Sequence, residues 1–325
     1  MRILVTGSAG HLGEALVRVL REAGEDVRGA DLLASPYTDL VGSLADRDVA
    51  RRAVAGADAV LHAATLHKPH VGSHARRDFV DANITATVNL LEEAVAAGTG
   101  AFVFTSTTSA FGRALAPPPG APAAWITEDV TPVPRNVYGV TKTAAEDLCE
   151  LVHRDHGLPV VILRTSRFFP EADDRDDVRA AFDDANLKVN ELLNRRVDLD
   201  DVVGAHRCAL ARAGEVGFGR FIVSATTPFT RADLPQLRDD APAVVRRHFP
   251  GVDAVFGPRG WRLPAGMDRV YDNARAREQL GWAPRWDFAY ALERVAAGEE
   301  PRSALAVAIG AKGYHAVPTG IYTTR

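Results

Sequence analysis

The sequence predicts an α/β protein in which a doubly wound parallel sheet is followed by a smaller, mixed α/β lobe. Three observations carry that expectation. A short apolar run at residues 3–5 leads directly into a glycine turn and then a helix-periodic segment. Strand-like apolar runs then alternate with helix-periodic stretches as far as residue 165, the order that builds a parallel sheet with helices on both faces. After Pro170 the alternation stops and the chain turns acidic and irregular. The expected division is a sheet domain over 1–170, with a strand and helix returning to it from about 197–225. Residues 171–325 form mainly the second lobe and a tail.

Bulk properties narrow the classes. The 325 residues are 46% apolar and 25% charged, which suits a soluble globular protein with a sizeable core. The net charge of −4 offers no basic footprint for nucleic acid. Cys149 and Cys208 are far apart and build neither a disulfide framework nor a zinc spacing, so a reducing cytoplasm is expected. No apolar stretch approaches the length of a membrane span, and the run at 3–5 is too short for a signal peptide.

Taken in order, Arg2-Ile3-Leu4-Val5-Thr6 reads as a buried strand ended by glycine. In Gly7-Ser8-Ala9-Gly10-His11-Leu12-Gly13 the spacing of Leu12, Leu16, Val19 and Leu20 starts an amphipathic helix, so the glycines sit at a strand-to-helix turn. Glycines there permit a tight turn and let backbone approach a pyrophosphate, which faces the helix N-terminus. The sheet is therefore expected to be of Rossmann type; a glycine-rich turn without ligand is the plainer alternative. Residues 26–31 read as the second strand. Asp31 closes it 18 positions after Gly13, where an acid accepts hydrogen bonds from the adenosine ribose and repels a 2′-phosphate. That favours NAD over NADP, and a strand-end turn aspartate is the alternative reading.

Residues 42–44, followed by Asp46, read as a short third strand entering a helix, and residues 58–64 as a fourth strand ending in small residues that leave room for a ligand. The next loop carries His67, His70 and His74. No nearby cysteine completes a metal site and Lys68 would repel a cation, so no metal is expected; the loop faces substrate or is plain surface. Residues 77–97 have helical periodicity, with Gly98 as C-cap. Residues 101–107 form a strand ending in hydroxyl residues, and 116–134, with six prolines, a loop. A helix then runs toward His156, closed by Gly157, before a buried strand at 159–165. Beyond Pro170 a short strand and helix are expected at 197–210, a strand at 221–224, mostly helix at 234–249, and a short capped helix within 272–282 closed by Gly281. The tail from Pro301 is readable only as packing or oligomer contact.

The helix after the proline-rich loop carries Tyr138 and Lys142, four positions apart and so on one face. A phenol beside an ammonium ionises more easily and can exchange a proton with an alcohol or ketone. Taken alone, the pair is also what a solvated helix face contains.

Together these stretches resemble the extended short-chain dehydrogenase/reductase family, also named the NAD-dependent epimerase/dehydratase family, as far as about Pro284. Its TGxxGxxG loop resembles Thr6 to Gly13, its acidic strand end Asp31, and its small-residue turn His62-Ala63-Ala64. Its N-x-x-x-T-x-N-L-L-E helix resembles the segment with Asn83 and Asn89-Leu90-Leu91-Glu92. Its S-S-x-x-x-Y-G motif resembles Ser106 to Gly112, its YxxxK Tyr138 and Lys142, and its late D-x-x-x-A-x-x-x-L-G-W-x-P the stretch from Asp272 to Pro284. The resemblance implies NAD as cofactor, with Tyr138 exchanging the proton of a secondary hydroxyl, Lys142 binding the nicotinamide ribose and Thr107 positioning the reacting oxygen. It implies cofactor contacts at Gly7, Gly10, His11, Leu12, Gly13, Asp31, Ser43, Leu44, Ala63, Ala64, Thr105 and Ser166 besides Tyr138 and Lys142, and substrate contacts at Thr107, Thr108 and Arg167. It also implies a homodimer through the helices after Arg77 and around Tyr138.

Departures from the family narrow the chemistry. Its 4,6-dehydratases place Asp-Glu after the threonine, whereas Thr108-Ser109 stands here, which argues against dehydration. Arg167 stands where epimerases carry an asparagine that helps hold the substrate diphosphate; it could hold phosphate or carboxylate, or pair with the acidic run 171–177. The segment between Pro170 and 197–201 looks short for a nucleotide clamp, and Phe111 in place of tyrosine removes a hydroxyl from the pocket wall. The function expected is NAD-dependent hydride transfer at a secondary hydroxyl of a sugar, sugar acid or nucleotide sugar, ending in dehydrogenation or epimerisation. The alternatives are an NADP-dependent reductase of a small carbonyl compound and a catalytically silent NAD-sensing or scaffold protein.

Overall fold

The structure is a computed structural model that describes residues 1–173 and 175–312. Strand β1 (Arg2–Thr6) runs into helix α1 (His11–Glu22), followed by β2 (Asp26–Asp31), β3 (Leu40–Val41), α2 (Arg47–Val54) and β4 (Ala59–His62). After α3 (Arg76–Val80) and α4 (Ala86–Ala96) come β5 (Ala101–Thr107), β6 (Ala124–Ile126), α5 (Val137–His156) and β7 (Val160–Thr165). Beyond α6 (Asp176–Ala181) and α7 (Asp184–Glu191), α8 (Leu199–Val216) leads into β8 (Phe218–Val223). Seven strands form one sheet in the order β3-β2-β1-β4-β5-β7-β8, every pairing parallel. The order reverses at β1, so the carboxyl ends of β1 and β4 open a crevice there. The seven-stranded parallel sheet is the doubly wound, Rossmann-like fold that the alternation predicts.

The apolar runs read as strands are buried on both faces, as a helix-covered sheet requires. On one face Leu16, Leu20 and Val17 of α1 pack with Val202 and Ala209 of α8; on the other Val54 of α2 packs with Leu90 and Leu91 of α4 and Cys149 of α5. A third cluster, with Leu193, Phe229, Val245, Phe256 and Phe288, draws on α9 (Leu234–Asp239), α10 (Ala241–His248), α11 (Val252–Phe256) and later elements. Strand β9 (Arg269–Tyr271) precedes α12 (Ala274–Leu280), α13 (Phe288–Ala296) and α14 (Ala304–Ile309). Gly281 closes α12 at φ 66°, the left-handed cap expected of it.

Five sequence expectations change. The third strand is Leu40–Val41 rather than 42–44, because Ala30 and Asp31 pair with Leu40 and Val41, and the pairing closes with the Gly42 amide donating to the Asp31 carbonyl at 2.9 Å. The loop 116–134 contains β6, which pairs with β9 to form a separate two-stranded parallel sheet. No strand forms at 197; only a bridge between Arg167 and Arg196 remains there, and α8 follows, capped by Asp198. The helix read over 77–97 is interrupted by a π-helical segment, Asp81–Thr85. The tail read from Pro301 includes α14, and its part beyond 312 lies outside the described residues.

Candidate active site

The cofactor end is made from backbone. Gly7 sits at φ +73°, and a Cβ on it would lie 2.7 Å from the Ala64 nitrogen. A Cβ on Gly13 would lie 1.9 Å from the Gly7 carbonyl oxygen, so the first turn of α1 packs directly on the glycine turn. Ala63 and Ala64 bring their backbone against that turn and line the cleft beside it. Gly10, at the N-cap of α1, supplies no side-chain cap, so the start of the helix meets the cleft as backbone. Asp31 accepts from the Ala9 amide at 3.0 Å and the Leu33 amide at 2.9 Å, which fixes the carboxylate at the edge of the turn.

The chemical end is made by β5 and α5. Asn136 caps α5, its side chain accepting from the Gly139 amide at 3.0 Å. Tyr138 and Lys142 follow one turn apart, both buried. The Tyr138 phenol lies on the cleft wall with the Thr107 hydroxyl, which accepts from the Ser109 amide at 3.1 Å. Burial pushes the phenol up to about 12, with the neighbouring Thr107 hydroxyl drawing it back in part. Burial also lowers the Lys142 ammonium to about 7, against the attraction of Glu146. The ammonium donates to the Thr105 carbonyl at 2.6 Å and lies 3.9 Å from the Phe104 ring centroid. The two side chains thus share a helix face, but the ammonium is bonded to β5 and not to the phenol. Thr107 is the group that eases ionisation of Tyr138.

A cleft of about 1180 Å³ joins the two ends. Its wall includes Gly7, Gly10, His11, Leu12, Gly13, Asp31, Ser43, Leu44, Ala63, Ala64, Thr105, Thr107, Thr108, Tyr138, Ser166 and Arg167. Of the site residues read from the sequence, Lys142 alone lies behind the wall, 2% exposed. Arg167 pairs with Asp173 at 2.5 Å and Glu191 at 3.2 Å, so one of its two expected roles, pairing with the acidic run, is present. Phe111 is not on the wall: it is fully buried with Ile126, Ile222 and Tyr271, under the Arg164 guanidinium. Its lack of a hydroxyl therefore shapes the core and not the pocket.

Several participants have roles that the sequence did not assign. Asn83, in the π-helical segment, accepts from the Leu66 amide at 2.8 Å and donates to Thr141 of α5 at 3.0 Å, tying the loop after β4 to the helix that carries Tyr138. π-Segments recur at functional sites, yet none is readable from local periodicity. His206 meets the Thr105 hydroxyl at 2.7 Å, and burial lowers it to about 4, so it is neutral. Glu171 pairs with His11 at 2.8 Å beside the glycine turn, and Lys312 reaches both Glu14 and, through its backbone amide, Glu171. Arg195, Arg269 and Tyr271 complete the wall near Arg167. The loop histidines pack on one another, the His67 amide donating to His70 Nδ1 at 3.0 Å. Among the described residues no group of three or more His, Cys, Asp or Glu is placed to hold a metal, and no helix is long and apolar enough to cross a membrane.

The glycine cradle that any Cβ would fill, the uncapped start of α1 and Asp31 fit a dinucleotide. With Tyr138, Lys142 and Thr107, the fold and cleft define an NAD(P)-dependent enzyme of the extended short-chain dehydrogenase/reductase type. The chain belongs to the NAD dependent epimerase/dehydratase family, whose family model matches residues 3–217; its cofactor is NAD. A dTDP-glucose 4,6-dehydratase from Streptomyces niveus is 32% identical over 327 residues, covering 90% of each chain. An uncharacterized Sinorhizobium fredii protein is 27% identical over 309 residues, covering 87% of this chain and 74% of its own. A short-chain dehydrogenase/reductase superfamily protein from Agrobacterium tumefaciens, crystallised with bound NAD, superposes with a TM-score of 0.66 at 26% identity, covering 91% of this chain and 96% of its own.

Proposed function

We propose that the chain oxidises a secondary hydroxyl of a sugar, sugar acid or nucleotide sugar, releasing the ketone or lactone as a dehydrogenase or restoring the alcohol with inverted configuration as an epimerase. The observation that carries this reading is that Thr107 and Tyr138 share the wall of a cleft that also contains the glycine cradle. NAD, when bound, supplies the hydride acceptor. Tyr138 Oη takes the hydroxyl proton, and Thr107 Oγ1 holds the reacting oxygen against it. Lys142, anchored on Thr105, presents its ammonium behind Tyr138. Asp31 selects the unphosphorylated ribose.

The reading departs from that of the Streptomyces niveus relative on one chemical ground. Loss of water from the adjoining carbons needs an acid and a base next to Thr107, and Thr108 and Ser109 are neither. The wall carboxylates are otherwise engaged: Asp31 with amides of the glycine turn and of Leu33, Glu171 with His11, Asp78 with the Ala75 amide and Asp81 with Arg77. The test is product analysis after incubation with NAD and a panel of hexoses, uronates, sugar phosphates and nucleotide sugars. Reduced cofactor with an oxidised sugar, or an inverted sugar, is expected; a 4-keto-6-deoxy sugar would contradict the reading.

The same reading includes a homodimer across α5. Val140 and Leu151 lie eleven positions apart on one face of that helix and are 53% and 40% exposed. Light scattering is expected to give twice the chain mass; the single chain mass at working concentration removes the dimer from the account.

A further inference from the structure

Arginines from three separate stretches wall the cleft beyond Tyr138: Arg167 after β7, Arg195 after α7 and Arg269 on β9. The first two are held by carboxylates of the chain. Glu191 lies 3.2 Å from Arg167, 2.8 Å from Arg195 and 2.8 Å from Arg196, and Asp173 lies 2.5 Å from Arg167. Burial raises the Glu191 carboxyl, yet the three guanidiniums overrule it and hold it at about 2. Arg196 is lowered first by burial and then by its neighbours Arg167 and Arg195, against Glu191. Positive charge is crowded at this end.

Arg269 differs from these. Among the described residues no carboxylate pairs with it. Its Nε donates to the Tyr271 hydroxyl at 3.2 Å, and its guanidinium lies 5.8 Å from that ring's centroid. Tyr271 is 2% exposed, wedged against Phe111, Ile126 and Ile222, so it is a rigid support. The strand is fixed from both sides: β6 pairs with it, and the Asn194 side chain donates to the Arg269 carbonyl at 3.0 Å. Asn194 adjoins Arg195, which brings that arginine's stretch against β9. A guanidinium bonded only through Nε keeps its terminal donors for a planar or tetrahedral oxyanion.

We propose that Arg269, supported by Tyr271 and with Arg195 adjoining, forms a subsite for one compact anionic group, carboxylate or phosphate, carried by the substrate sugar. The substrate is then an acidic sugar and not a neutral one, and Arg167 belongs to the scaffold of the subsite. This rests on the reading of the cleft as a sugar site under the proposed function, and names the class of sugar.

The test is titration calorimetry on the NAD-saturated protein with D-glucuronate, D-glucose 6-phosphate and D-glucose. At least one acid is expected to bind about 10-fold tighter than glucose, the scale of a charge-assisted contact; which acid does so separates carboxylate from phosphate. Arg269→Gln should erase the difference while leaving NAD and glucose affinities unchanged. Equal affinity for all three sugars, or a preference that survives in Arg269→Gln, overturns the proposal. If that variant does not fold, Arg269→Lys replaces it: loss of the fork at constant charge should shrink the preference, and an undiminished preference overturns the proposal. Binding is read without turnover. An acid that binds tightly yet is never oxidised defeats the proposed function and leaves the subsite standing. Glucose oxidised as well as the acids, at equal affinity, does the reverse.

Discussion

The two ends of the cleft are built from different material. At the cofactor end, Gly7, Gly10 and Gly13 bring main chain to the wall, and the Asp31 carboxylate is bonded to backbone amides. At the far end the wall is made of long side chains, Arg167, Arg195 and Arg269, held by Glu191, Asp173 and Tyr271. Backbone recognition tolerates almost no substitution, because added atoms meet main chain that cannot move. Side-chain recognition can be retuned one residue at a time. Under the proposed function the first end carries the chemistry shared across the family and the second this chain's own specificity, with Tyr138 and Thr107 at the junction.

The sharpest way to break that division is at the junction. Tyr138→Phe should lower turnover by about 10²–10⁴-fold, the usual worth of a general base, with NAD affinity unchanged by calorimetry; loss of NAD binding would place the phenol in the cofactor end instead. At the backbone end, Gly13→Ala puts a methyl 1.9 Å from the Gly7 oxygen. It should cost about 1–3 kcal/mol of stability, as overpacking does, and displace the glycine turn, so both the denaturant midpoint and NAD affinity fall. An unaltered NAD affinity would show that the turn yields, and the contrast between the two ends would lose its basis.

Smaller effects sharpen the comparison. Asp31→Ala removes the acceptor of the Ala9 and Leu33 amides and the charge that repels a 2′-phosphate. The preference for NAD over NADP should narrow by about 10-fold, the worth of one hydrogen bond to a charged group, as read by paired titrations. A further effect is a pH slope in stability. Unfolded, Lys142 keeps its proton to about 10.5; folded, burial lowers it to about 7. Between those values the unfolded chain binds the additional proton, so this lysine makes stability rise with pH, by at most about 1.4 kcal/mol per pH unit. Lys142→Met should remove that contribution, so that wild type gains on the variant between pH 7 and 9 in urea unfolding. A constant gap would mean that the lysine keeps its ordinary affinity for protons.

Legibility in the sequence follows the same division. The glycine turn, Asp31 and the Tyr138–Lys142 pair are readable because each is a local pattern whose geometry depends on residues a few positions apart. Strands β1, β4, β5 and β7 are readable because burial on both faces makes them continuous apolar runs. Strand β6 is hidden in a proline-rich loop, since its partner β9 lies far along the chain and only that pairing makes either a strand. Arg269 is silent for the same reason: its meaning comes from Tyr271 beside it and from Asn194 on another segment. The adjacent Arg195 and Arg196 are a visible signal, but their shared partner Glu191 is found only in the folded chain. His206 likewise meets Thr105 from α8 across the sheet, with no motif to mark it.

The central claim is hydride transfer at a secondary carbinol carbon with Tyr138 carrying the proton. The most direct measurement uses a sugar substrate deuterated at that carbon, followed by mass spectrometry of sugar, cofactor and solvent after turnover. The account predicts that the label stays with the cofactor, or on the same carbon of an inverted sugar, and that none enters water. Label washed into solvent would mean that a base of the chain removes the carbon-bound hydrogen as a proton, and would contradict the role given to Tyr138 and the NAD cleft.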